Sequence, residues 1–134
     1  MASIFSKIIS KEIPCHKVAE TETCISFLDI FPVKKGHLLV LPKKEVNNLF
    51  DVDDETYLSL MFFTKRLAKA LEKTIPCNRV GVSVIGIEVP HAHIHLIPIN
   101  SLEDMNFNKE KLKFSNNEFS KIAKEITVNY NKLT

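Results

Sequence analysis

Residues 89–99, Val-Pro-His-Ala-His-Ile-His-Leu-Ile-Pro-Ile, leave the backbone few options. His91, His93 and His95 alternate with Ala92, Ile94 and Leu96. A helix would scatter the two sets around its circumference, whereas an extended strand sends successive side chains to opposite faces. The spacing predicts a strand over Ala92 to Ile99, with three imidazoles in one row about 7 Å apart. Ala92, Ile94 and Leu96 then point the other way, into a core. Imidazole changes protonation near neutrality and serves as nucleophile, acid, base or metal ligand. The histidine face is therefore the candidate reactive surface. Pro98 marks an edge position or the point where the ladder stops.

The other patterns build a mixed fold around that strand. Ser3 caps a short helix through about Ser10, with Ile4, Phe5, Ile8 and Ile9 as its apolar face, and Pro14 stops it. Strands over Lys17 to Glu20 and Thr23 to Leu28 follow across a tight turn. Asp29 to Gly36 is a loop, and His37 to Leu41 is a third strand ended by Pro42. Asp51, Asp53 and Asp54 suit a helix N-terminus. That helix runs to about Lys73, with Leu58, Met61, Phe62, Lys65, Leu67, Ala68 and Leu71 as its core stripe. Arg79 to Val84 alternates, with Val80, Val82 and Val84 on one face, and makes a fourth strand. Ser115 and Glu118 form a capping box, stapled by Phe114 and Phe119, for a last helix whose stripe is Phe119, Ile122, Ala123 and Ile126. Lys109 to Lys113 reads as a solvated connector. Short strands, one long central helix and terminal helices argue for an α+β antiparallel sheet rather than a βαβ series.

Charge and composition exclude several roles. With 134 residues the chain is expected to form a single domain, 1–134, in which 101–134 extends the common part. Its 18 basic and 16 acidic residues are interspersed, which argues against a nucleic-acid partner. No apolar run approaches a membrane span, and the first residues lack a signal-peptide pattern. Cys15, Cys24 and Cys77 form no close pair, as expected for free thiols in a cytoplasmic protein.

Two chemistries suit the histidine run: metal ligation, as in a metal-dependent hydrolase, and nucleophilic attack on phosphorus through a covalent intermediate. The surroundings favour the second. Val89 to Pro98 resembles the signature of the histidine triad (HIT) family, three histidines each followed by an apolar residue. Ser3 to Pro14 is similar to that family's N-terminal segment. Cys24 to Ile30, Pro32 and Gly36 to Lys43 are similar to its nucleoside-binding strand and the strand that follows. The resemblance covers roughly residues 3 to 100 and implies a five-stranded antiparallel sheet with a long central helix and short terminal helices.

The resemblance also implies roles. His93 would be the nucleophile that attacks the α-phosphorus of a nucleotide, giving a nucleotidyl-histidine. His91 would orient it, and His95 would donate to the phosphate or help the leaving group. His37 matches a fourth family histidine. Asp29 would accept from ribose hydroxyls, and Phe27, Leu28 and Ile30 would line the base pocket of a purine nucleotide. The implied protein is a homodimeric nucleotide hydrolase or nucleotidyl transferase of phosphoramidates or dinucleoside polyphosphates, with no cofactor and no metal. A nucleotide-binding protein with little turnover is the alternative. Three departures stand out. Some bacterial members bind zinc through a Cys-x-x-Cys and histidines, but Ser3, Ser6 and Glu45 occupy three of those places. Ile87 and Glu88 replace a Gln and a phosphate-contacting hydroxyl, leaving backbone donors near Gly86 and Val89, and a family Asn has no matching position, with Ser83 and Asn78 as the candidates to compensate. The third is the segment after Ser101, which lies outside the resemblance.

Overall fold

The computed structural model describes residues 3–133. Its elements are α1 (Ile4–Ile9), β1 (Lys17–Glu20), β2 (Cys24–Leu28), β3 (Leu38–Pro42), α2 (Asp54–Thr74), β4 (Arg79–Ser83), β5 (Ile94–Ile99) and α3 (Asn116–Asn131), with 3-10 turns at Leu49–Asp51 and Leu102–Met105. The strands form one antiparallel sheet in the order β1-β2-β3-β5-β4. The fold is α+β, as the patterning predicts. No helix among the described residues is long and apolar enough to cross a membrane.

Local chemistry sets the helix ends. The Ser3, Asp53 and Ser115 side chains each accept a backbone N–H of the first turn that has no helical partner. Ser115 and Glu118 form the expected capping box, and the Phe114 and Phe119 rings meet at 5.4 Å. Both faces of the sheet are covered. Ala92, Ile94 and Leu96 lie on the face packed by α2 and α3, in a cluster running from Val18 to Ile126. The segment after residue 101 therefore returns its helix to the main core. Phe5, Ile25, Phe27, Leu39 and Leu41 form a smaller cluster under α1 on the opposite face.

Three expectations need correction. The buried side of α2 is Leu60, Phe63, Thr64, Leu67, Ala70 and Leu71, while Leu58 and Phe62 are 69% and 63% exposed. The helix carries apolar residues on two faces, so periodicity alone could not choose between them. Val82 and Val84 are also exposed, because β4 is an edge strand whose outer side has no cover. Pro42 and Pro98 lie within β3 and β5. Pro98 is tolerated in an interior strand because pairing of β5 with β3 covers only Ile94 to Leu96, so its missing N–H faces no partner.

Gly36 turns the chain into β3 with φ of +90°, and a Cβ there would lie 3.0 Å from Ile75 and 3.2 Å from Leu71. Gly36→Ala should destabilise the protein by roughly 1–3 kcal/mol, read as a lower urea midpoint at unchanged m-value. An unchanged midpoint would show that the turn is not constrained.

Candidate active site

Only His95 of the triad lies in a strand. β5 begins at Ile94, and His91 and His93 occupy the bend before it. The His91 N–H donates to the Val89 carbonyl at 2.8 Å, and the Ala92 N–H donates to the Val46 carbonyl at 2.7 Å. The β3 ladder cannot extend further, because Pro42 has no N–H and its carbonyl accepts the His91 side chain. The rings still gather on the α1 side of the sheet. Phe5 meets His91 and His93 edge-on at 6.0 and 4.9 Å, and the His93 and His95 rings are 4.9 Å apart.

The contacts locate the imidazole protons, because carbonyls only accept and backbone N–H groups only donate. His91 Nε2–H donates to the Pro42 carbonyl at 2.8 Å, so Nδ1 of the neutral ring accepts from Ser3 Oγ at 3.2 Å. His93 Nδ1–H donates to the His91 carbonyl at 2.7 Å, leaving a lone pair on Nε2. The Val33 N–H donates to His37 Nδ1 at 3.2 Å. His37 Nε2–H then donates to His95 Nδ1 at 2.9 Å, and neutral His95 carries its proton on Nε2. Among the described residues, Ser26 Oγ is the one fully buried side-chain N or O atom without a partner. The Nε2 atoms of His93 and His95, unpartnered in the protein, are therefore open to a ligand: one a lone pair, the other a donor.

Burial keeps His37, His93 and His95 neutral. Desolvation pushes His37 down to about 3, helped by the Lys111 ammonium and by His93. It also pushes His95 down to about 3, with His37 and His93 adding to the effect. His93 is lowered too, chiefly by burial, against the opposing effect of its bond to the His91 carbonyl. The 3.6 Å approach of Asp29 Oδ2 to His37 Nε2 is thus no ion pair near neutral pH. Asp29 Oδ1 accepts the Phe31 N–H at 2.9 Å, and the Asp29 N–H donates to the His37 carbonyl at 3.0 Å. These bonds fold the loop so that its carboxylate sits beside the histidines. Asp29, His37 and His95 offer ligand atoms within 4.8 Å of one another and could hold a metal ion. As arranged here, His37 Nε2 and His95 Nδ1 are bonded to each other.

Other expected residues are divided. Phe27 lies on the α1 face with the triad, but Leu28 points into the α2 face, as adjacent strand residues must. Leu28 therefore does not line the surface that Phe27 lines. Ile30 is exposed beside Asp29. Gly86 and His93 line a pocket of about 300 Å³ with Asn47 and Asn48. Val89 packs against the Phe5 and Phe27 cluster instead. Ser83 pairs with His95 across the strands, whereas Asn78 bonds Asn100 at the far end of the sheet. Glu88 is exposed. Phe107 was not foreseen: its ring lies 4.9 Å from His95 and 6.0 Å from His37. Lys111 donates to the Phe107 carbonyl, and Leu112 N–H donates to Pro32. The lysine-rich connector thus runs along the site rather than free in solvent. No local sequence signal marks Phe107, whose place is set by contacts far along the chain.

An antiparallel sheet with a histidine-lined face and four buried, hydrogen-bonded histidines defines the class. The model of the HIT domain family matches residues 10–102, and the chain belongs to the HIT family. It is 43% identical over 98 residues to the adenosine 5'-monophosphoramidase HNT1 of Saccharomyces cerevisiae, covering 72% of this chain and 62% of the yeast protein. It is 35% identical to the adenosine 5'-monophosphoramidase hnt1 of Schizosaccharomyces pombe, covering 73% of this chain and 74% of that one. The crystal structure of a HIT-like protein involved in cell-cycle regulation from Bartonella henselae superposes with a TM-score of 0.83 at 31% identity, covering 95% of both chains.

Neutral burial makes stability pH-dependent. His37 and His95 stay unprotonated down to about 3 in the fold but titrate near 6.5 when unfolded. Between those values the unfolded chain binds more protons, so stability falls as pH drops. At about pH 5 each neutral ring accounts for up to about 2 kcal/mol of that loss. Urea midpoints should fall steadily below about pH 6.5, and less steeply in His37→Asn. A flat profile to about pH 4 would contradict the neutral pair.

Proposed function

We propose that the protein is a nucleotide hydrolase acting at the α-phosphate of nucleoside phosphoramidates, with dinucleoside polyphosphates as the next substrate class. The observation that carries this reading is the complementary pair of open nitrogens, a lone pair on His93 Nε2 beside a donor on His95 Nε2. The phosphoramidase names of two yeast relatives support the substrate class. Ile30 and Phe31, exposed beside Asp29, offer apolar area for a base, and Asp29 offers acceptors for a ribose diol. The pocket between Asn47 and Gly86 lies beside His93 and receives the leaving group.

In this mechanism His93 Nε2 forms a bond to phosphorus while the phosphorus–nitrogen bond to the leaving amine breaks. The departing amine takes that electron pair and a proton from water. The His93 ring becomes cationic, and its Nδ1–H remains bonded to the His91 carbonyl. His95 is neutral with one N–H, so surrendering that proton would leave an anion. Its role is to donate a hydrogen bond to the charge gathering on the phosphate oxygens. Water then attacks phosphorus, giving up a proton to solvent, and the bond to His93 breaks with return of its lone pair.

The active form is a homodimer in this reading. β4 is a free edge, and its Val82 shares the helix side of the sheet with the exposed Leu58, Met61 and Phe62 of α2. Free edges and contiguous apolar patches favour pairing with a second copy. The three free thiols fit a cytoplasmic setting.

His93→Ala should lower turnover of adenosine 5'-phosphoramidate by at least about a thousandfold while changing AMP affinity by less than about threefold. Rapid quenching of the wild type should trap the nucleotide on His93. A variant that keeps a few per cent of turnover rules out the nucleophile assignment. Sedimentation at micromolar concentration should give a dimer that Phe62→Glu converts to monomer; a wild-type monomer rejects the assembly.

A further inference from the structure

Glu45 lies about forty residues along the chain from Ser3 and Ser6 yet bonds to both, and Ser3 in turn reaches His91. The Ser3 N–H and the Ser6 hydroxyl both donate to Glu45 Oε1, at 2.7 and 2.6 Å. The Ser6 N–H donates to Ser3 Oγ at 3.1 Å. Ser3 Oγ and Ser6 Oγ are 3.5 Å apart, too far to compete with these bonds. Because His91 carries its proton on Nε2, Ser3 Oγ directs its own proton to His91 Nδ1 at 3.2 Å. Every member of the set has a defined direction, and the set ends on the ring of His91, the residue whose backbone carbonyl orients His93.

We propose that Glu45 is a positioning residue for the triad: it clamps the first turn of α1 so that Ser3 holds His91 in one tautomer and Phe5 stays against His93. Phe5 follows Ser3 by two residues and touches Phe27, His91 and His93, so movement of that turn would move both anchors together. The carboxylate suits this task. The Ser6 and Ser3 bonds bring Glu45 down to about 2, so it stays an acceptor throughout the neutral range. Where the family resemblance places zinc ligands, this chain links α1 to the segment after β3 by hydrogen bonds. The catalytic consequence rests on the function proposed above; the tautomer consequence does not.

The test compares Glu45→Ala and Glu45→Gln in the full chain, with two readouts. Imidazole ¹⁵N NMR should show His91 protonated only on Nε2 and His93 only on Nδ1 in the wild type, and mixed tautomers at both rings in Glu45→Ala. On adenosine 5'-phosphoramidate, Glu45→Ala should lower kcat roughly ten- to a hundredfold with KM changed less than about twofold. Glu45→Gln keeps an acceptor oxygen and should restore both the tautomers and most of kcat. Wild-type tautomers in Glu45→Ala overturn the proposal, as does a glutamine variant no better than alanine. If Glu45→Ala does not fold, Ser6→Ala removes one of the two bonds to the carboxylate, and its NMR spectrum decides. A wild type that turns over no phosphoramidate defeats the proposed function, and the NMR comparison still decides the clamp.

Discussion

A carbonyl oxygen cannot donate, and the reactive geometry of this protein depends on that constraint. The His91 carbonyl takes the Nδ1 proton of His93 and so turns a lone pair outward. The His91 ring is itself tied at both nitrogens, by the Pro42 carbonyl on one side and Ser3 on the other. Its two anchors come from separate elements, a helix cap and the end of β3. Each bond contributes about 1 kcal/mol net to stability, but leaving a buried partner unmatched costs more. The arrangement is held by what would be lost on breaking it.

Burial adds a second constraint. Desolvation keeps His37, His93 and His95 from charging. Neutrality leaves His93 the lone pair that its proposed role as nucleophile needs. An anionic phosphate would gain more from cations, so neutrality at His95 has a cost. The site answers it with a directed N–H: the donor order from Val33 through His37 fixes the proton of His95 on the nitrogen facing outward. Lys111, close enough to influence His37, brings positive charge without entering the triad. A dipole fixed in advance costs no reorganisation when charge develops on the phosphate.

Much of this was legible in the sequence because it rests on local rules. The capping box at Ser115, the alternation of Ile94 and Leu96, and the turn at Gly36 follow from backbone chemistry within a few residues. What failed depended on distant partners. His91 and His93 leave the expected strand because Pro42, almost fifty residues earlier, lends its carbonyl to a ring rather than to a ladder. Phe62 and Leu58 carry a helical period as good as that of Phe63 and Leu67, and only packing on the sheet separates the two faces. Phe107 reaches His95 through a loop with no periodicity of its own.

The loop before the triad follows the same logic. Ile87 and Glu88 stand where the family resemblance puts a Gln and a hydroxyl, and both are exposed. A carboxylate facing a phosphate about 4 Å away would oppose binding by about 4 kcal/mol at an effective dielectric near 20, so an active site of this kind requires Glu88 to stay in water. Donors are available from other directions. Gly86 lines the pocket beside His93 with a backbone free of any side chain, and Ser83 stands across the strand pair from His95. Ser83 closes β4, and Gly86 lies three residues further on, in the loop. The position of Ser83 therefore depends on the ladder between β4 and β5, which also sets the place of His95.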